Sequence, residues 1–97
     1  MTSTQSLLLD LDPNLGVSKA PDLFEQLQSH LSKNIQLNAA HVNHLDAPCA
    51  QILVSAKEMW SDQGWMFEVV NHSDAFQIGL KTLSLDSHFP PNLEPDL

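Results

Sequence analysis

The chain has 97 residues, enough for one domain with a single core of modest stability. Apolar residues make up 42% of it, which excludes a disordered chain, and no stretch reaches the roughly eighteen apolar residues of a membrane span. Twelve acidic residues face four lysines and no arginine, a net charge of −8 that repels phosphate backbones and anionic lipid surfaces and offers no bidentate clamp. Nucleic-acid binding, direct membrane binding and catalysis on a phosphorylated metabolite are therefore disfavoured, and a protein partner is the expectation.

Met1 to Gln5 carries no basic residue, which argues against a secretory signal and for a cytoplasmic protein. Ser6 to Leu11 is an apolar run of strand length, and Asp12-Pro13-Asn14-Leu15-Gly16 reads as a turn. A helix begins at Ser18 or Ala20 with Pro21 in its first turn, where the missing N–H costs little. Leu23, Phe24, Leu27 and Leu31 share its core face, and Lys33 and Asn34 close it. A second strand covers residues 35 to 39, and His41 to Asp46 turns the chain into a helix over 47 to 61. On that helix Cys49, Ile52, Leu53, Ala56, Met59 and Trp60 share one face, while Gln51, Ser55, Lys57, Glu58 and Asp62 share the other. Gly64 stops it, and the aromatic and β-branched run at 65 to 70 is a third strand. Ser73 is a good N-cap for a third helix from Asp74 to about Ser84, with Phe76, Leu80 and Leu83 on its core face. Residues 86 to 97 form a Pro-rich tail from which Phe89 could pack back onto the core.

The order β-α-β-α-β-α predicts an α/β domain over residues 6 to 85. Its sheet should be small, mostly parallel or mixed, and covered by helices joined through right-handed crossovers.

Chemistry-bearing residues gather before the middle helix. Asp46 fits an N-cap that accepts hydrogen bonds from first-turn N–H groups, with Pro48 tolerated just inside. His41, His44 and Asp46 are ligand types, but their spacing in a loop is far weaker than two histidines one turn apart on a helix. Surface histidines are the plainer reading, and neither a metal nor a cofactor is expected. Cys49 lies near a helix N-terminus and near His44, yet it belongs to the apolar face, which makes it a buried inert thiol. A single cysteine forms no internal disulfide.

The run Leu37-Asn38-Ala39-Ala40-His41-Val42-Asn43-His44-Leu45-Asp46, the helix from Ala47 to Trp60, and Gly64 to Phe76 together resemble a STAS domain, the fold of bacterial anti-sigma-factor antagonists. The resemblance covers about residues 6 to 85. It implies a non-enzymatic protein-binding module. In phosphorylated members a Ser or Thr directly follows the Asp; here that position is Ala47, which has no hydroxyl, so no phosphorylation is expected there. The short N-terminus is similar to that of solitary STAS proteins of chemotaxis systems, and a related group accompanies lipid-transport ATPases. The partner implied is a kinase, an anti-sigma factor or a chemotaxis component.

The expected contact surface is Asp46, Ala47, Pro48, Cys49 and Ala50 with Gln51, Ser55 and Glu58 on the adjoining helix face. Two rival classes remain. A small-ligand module would need a pocket above about 300 Å³ with convergent polar groups. A metal or thiol enzyme would use His41, His44 and Cys49.

Overall fold

The computed structural model describes residues 7–89. Three parallel strands make the main sheet: β1 (Leu7–Asp10), β3 (Ile35–Asn38) and β5 (Phe67–Val70), in the order β1-β3-β5. Parallel neighbours need a crossover, and here each crossover carries a helix. Helix α1 (Ala20–Gln28) lies between β1 and β3, α2 (Ala47–Asp62) between β3 and β5, and α3 (Asp74–Thr82) follows β5. Both crossovers step in the same direction, so α1 and α2 lie side by side and pack together. The α/β reading holds, and both sheets are parallel among the described residues.

Strand alternation divides the sheet into two faces. Leu9, Ile35, Leu37, Phe67 and Val69 point to the helices; Ile35 and Leu37 are 0% exposed. Asp10, Gln36, Asn38 and Glu68 point the other way and pair across strands. The Gln36 side-chain amide donates to Glu68 Oε1 at 3.0 Å, and the Asn38 amide donates to Asp10 Oδ1 at 2.9 Å. Helices thus cover one face, whereas a parallel sheet is usually buried on both.

Two stretches read as turns are strands. β2 (Asn14–Leu15) and β4 (His44–Leu45) pair in parallel and prolong the β1–β3 edge beyond a bend. Asp12 Oδ1 accepts from the Asn14 amide at 2.9 Å, a local turn that redirects the chain before pairing resumes. Two residues are too few to show alternation, so their pairing is set by the tertiary fold. Helix α1 also ends earlier than its apolar spacing suggests. Ser29 Oγ and His30 Nδ1 both approach the Gln26 carbonyl, and Ser32 takes a φ of 65°.

The core unites all layers. Leu23 and Leu27 from α1, Leu53, Val54 and Trp60 from α2, and Phe76 and Leu80 from α3 are buried. Trp60 Nε1 donates to the Lys33 carbonyl at 2.7 Å, and the ring meets Phe67 edge-on at 5.4 Å. Gly64, with φ of 82°, ends α2 and lets the Trp65 amide reach back to the Trp60 carbonyl at 2.9 Å. Ser73 caps α3 as expected, accepting from the Phe76 amide at 3.0 Å, while its hydroxyl donates to the Val42 carbonyl at 2.6 Å. Phe89 does pack back: it is buried against Phe67, and the Lys57 ammonium lies 5.2 Å from its ring centre and on the His88 carbonyl. The remainder of the tail, residues 90–97, lies outside the described residues, as does Ser6.

Three side chains assigned to core faces are exposed: Phe24 at 50%, Met59 at 42% and Leu31 at 39%. The apolar stripes of α1 and α2 are wider than the seam between the helices, so Phe24 and Met59 at their outer edges face solvent, whereas Leu31 lies in the turns beyond the end of α1 at Gln28.

Two outcomes follow. A Cβ on Gly79 would sit 3.0 Å from Leu45 Cβ and 3.4 Å from the Leu45 carbonyl, so α3 and β4 touch because this residue is glycine. Gly79→Val should destabilise by about 1–3 kcal/mol through overpacking, outweighing the few tenths gained in helix propensity; an unchanged urea midpoint would contradict this. His72 packs edge-on to Phe76 at 5.0 Å, sets Nε2 3.0 Å from the Val69 carbonyl, and leaves a buried Nδ1 without a partner. Burial pushes its pKa below the ordinary 6.5, against a smaller upward effect of the Val69 carbonyl. A depressed folded pKa means that the stabilisation is complete above the unfolded value and is lost as pH falls through the folded one. Between about pH 7.5 and about pH 5.5 the wild-type urea midpoint should therefore fall more than that of His72→Gln. Parallel curves would refute this.

Candidate functional site: the corner before the middle helix

The corner is built from two segments far apart in sequence. Residues 44 to 50 run from β4 into α2, and residues 12 to 19 run through β2 into a short 3-10 turn at Val17–Lys19. Ladder pairing of β2 with β4 brings them together, and the Asp46 amide continues it by donating to the Leu15 carbonyl at 3.0 Å.

Asp46 occupies the N-cap position with extended backbone, φ −99° and ψ 165°. Its side chain makes no cap hydrogen bond, which corrects the expectation that the carboxylate binds first-turn N–H groups. Instead Oδ1 pairs with His44 Nε2 at 2.9 Å, and Oδ2 accepts from the Val17 amide at 3.2 Å. Those partners compete successfully because the β2–β4 register sets Gly16 and Val17 directly beside the carboxylate. A Cβ on Gly16 would lie 3.7 Å from Asp46 Oδ2 and 3.1 Å from Asn14 Oδ1, which accepts the Gly16 amide. The carboxylate is thus a brace between β4 and the 12–19 loop. Val17, 61% exposed, extends the corner's surface. Sequence spacing did not point to Asn14, Gly16 or Val17, since the segment that carries them meets β4 and Asp46 across about thirty positions of chain.

The other candidates divide by burial. Ala47, Pro48, Gln51, Ser55 and Glu58 are exposed, and Asp46 is partly so. Cys49 and Ala50 are 0% exposed and lie beneath the corner, so their side chains offer no contact to a partner. They are the inward half of the same helical turn. Cys49 Sγ donates to the Gly16 carbonyl at 3.4 Å. Burial raises the thiol pKa above its ordinary value, and the carboxylates of Asp46 and Asp12 add to that. His44 is spent on Asp46, and among the described residues no group of three or more His, Cys, Asp or Glu side chains gathers as a metal site would require.

Two open troughs flank α2 and α3. The first, about 220 Å³, runs between α1 and α2 and is walled by Phe24, Leu31, Gln51, Ile52, Ser55 and Met59. The second, about 440 Å³, lies along α3 beside Asp74, Gln77, Lys81, Asp86 and Phe89. Among the described residues no helix is long and apolar enough to cross a membrane.

The thiol gives a direct check. Its raised pKa leaves less thiolate at a given pH, and thiolate is the reacting form. Cys49 should alkylate with iodoacetamide at about pH 8 at least a hundredfold more slowly in the folded protein than in urea. Equal rates would mean an open, activated thiol.

Comparison with known proteins agrees with this geometry. The family model described as "Mlab, STAS domain" matches residues 2–93. Among solved structures, the fold is similar to that in "NMR Structure of the protein TM1081", with a TM-score of 0.64 and 17% identity over 87% of this chain and 70% of that one. No curated protein matches the chain. With nearly the whole chain matched by the family model and the α/β architecture shared, the chain belongs to the STAS domain family.

Proposed function

We propose that this STAS domain is a non-enzymatic docking module whose contact surface is the braced corner and the exposed stripe of α2. The surface comprises Asp46, Ala47 and Pro48, continued by Gln51, Ser55 and Glu58, with Val17 beside them. The observation that carries this reading is the brace itself. Asp46 is engaged on both oxygens, to His44 and to the Val17 amide, and the next residue, Ala47, has no hydroxyl. A corner held by two contacts and lacking a phosphate acceptor presents one fixed shape. Preformed surfaces lose little freedom on binding, which favours a stable complex. The partner class is that of the STAS resemblance: a signalling protein such as a kinase, an anti-sigma factor or a chemotaxis component, met in the cytoplasm of a bacterium.

A second reading is favoured by the same missing hydroxyl. A module with no phosphorylatable residue at its corner suits a permanent subunit as well as a switch. The related STAS group that accompanies lipid-transport ATPases works in that role. Under this reading the same stripe of α2 rests on an ATPase subunit.

The test is affinity capture from extract of the source cell with wild type and with Pro48→Arg/Gln51→Arg. Both positions are exposed, so the fold should survive, which circular dichroism checks. A signalling protein retained by wild type and lost by the variant supports the first reading. An ATPase with the same dependence supports the second. Partners retained equally by both proteins would remove the corner from the interface.

A further inference from the structure

We infer that the trough between α1 and α2 seats a basic amphipathic helix from a partner protein. The inference rests on reading α2 as a docking surface and names the chemistry of what docks there.

The floor and walls are apolar. Phe24 and Leu31 from the α1 side face Ile52 and Met59 of α2, and Phe24, Leu31 and Met59 are each at least 39% exposed. Exposed large apolar groups collected in one groove mark an interaction site more than scattered ones do. Gln51 and Ser55 line the same groove, so the stripe that leaves the corner at Pro48 becomes its wall. The shape is the space between two neighbouring helices, which a third helix fills with side chains at i, i+3, i+4 and i+7. The stretch of α2 from Pro48 to Met59 is on the order of 16 Å long, which matches about three turns of a partner helix.

Charge decides the occupant. Glu25 stands beside Phe24, and Glu58 and Asp62 stand one turn from Ser55 and Met59; all three are exposed. Three of the four lysines are placed elsewhere. Lys19 is 3.6 Å from Asp12, Lys57 is held on the His88 carbonyl and Phe89 ring, and Lys81 lies on α3 at the other trough. Lys33 is exposed in the loop after α1, where its carbonyl accepts from Trp60 Nε1. A second copy of this chain brings a net charge of −8 to an acidic rim, and the chain's own residues 90–97 carry Glu94 and Asp96 with no base. Like charges set against each other cost binding, so both are poor occupants. A helix with apolar residues on one side and Lys or Arg on its flanks satisfies floor and rim together.

The probe is a synthetic leucine–lysine amphipathic helix of about 14 residues, set against its leucine–glutamate counterpart, with titration followed by amide NMR on the full chain. Binding of the lysine peptide should shift amides of α1 and of the Pro48–Asp62 stretch, and it should weaken as salt is raised. Phe24→Glu separates seating from mere attraction, because it adds negative charge while removing an apolar wall. Seating predicts affinity for the lysine peptide lower by about tenfold or more, and the same for Met59→Glu. Glu25→Lys/Glu58→Lys/Asp62→Lys should transfer preference to the glutamate peptide. No binding of the lysine peptide, equal or tighter binding by Phe24→Glu, or shifts spread over the Asp10 and Glu68 face would each overturn the inference. Capture with Phe24→Glu keeps the two readings apart. A partner lost with Pro48→Arg/Gln51→Arg but kept with Phe24→Glu leaves the corner as the docking site and ends the claim for the trough.

Discussion

Every element takes its place from β3, the strand paired on both sides. Its Ile35 and Leu37 are completely buried, and its ladder fixes the registers of β1 and β5 at once. Because the sheet grows by one strand at each crossover, α1 and α2 must share a face and α2 must lie over β3 and β5. The buried half of α2, from Cys49 through Leu53 to Trp60, then seals that face. Burial of such side chains contributes about 1.5–3 kcal/mol each, far more than any single surface ion pair. The corner at Asp46 stands where it does because β3 continues toward β4, and β4 delivers the chain to α2.

That dependence explains what the sequence disclosed. Local chemistry names the cap at Ser73, the stop at Gly64, the proline in the first turn of α1 and the apolar run of β3, and all four appear in the structure. The order of strands and helices follows from those signals, and the STAS likeness from the order. What escaped needs two distant segments to meet. β2 and β4 are two residues each and exist only as a pair. Asp46 looks like a cap by position, and only the approach of Gly16 and Val17 shows that its carboxylate is used elsewhere. Helical periodicity placed Phe24 and Met59 on apolar faces correctly, but it carried Leu31 onto a helix that ends at Gln28, and it does not show how much of a face a neighbouring helix covers.

The surface follows the same division. Inward residues of the α2 stripe, Cys49 and Ala50, fix the helix; outward residues, Pro48, Gln51, Ser55 and Glu58, are free to meet another molecule. At family level a STAS domain is a protein-interaction or regulatory module, and a rigid corner beside an apolar trough is consistent with that role. The net charge of −8 disfavours contact with nucleic acid and anionic lipid and complements a basic surface.

The central claim is that the Asp46 carboxylate holds the corner in one shape. Amide hydrogen exchange at Val17 tests it most directly, in wild type and in Asp46→Ala, with the amides of Leu37 and Val70 as an internal reference for the sheet. Loss of the brace should speed exchange at Val17 by about tenfold or more while the sheet amides are unchanged, since local opening is separable from global unfolding. Equal exchange at Val17 in the two proteins would show that the β2–β4 pairing alone holds the loop and that the carboxylate braces nothing.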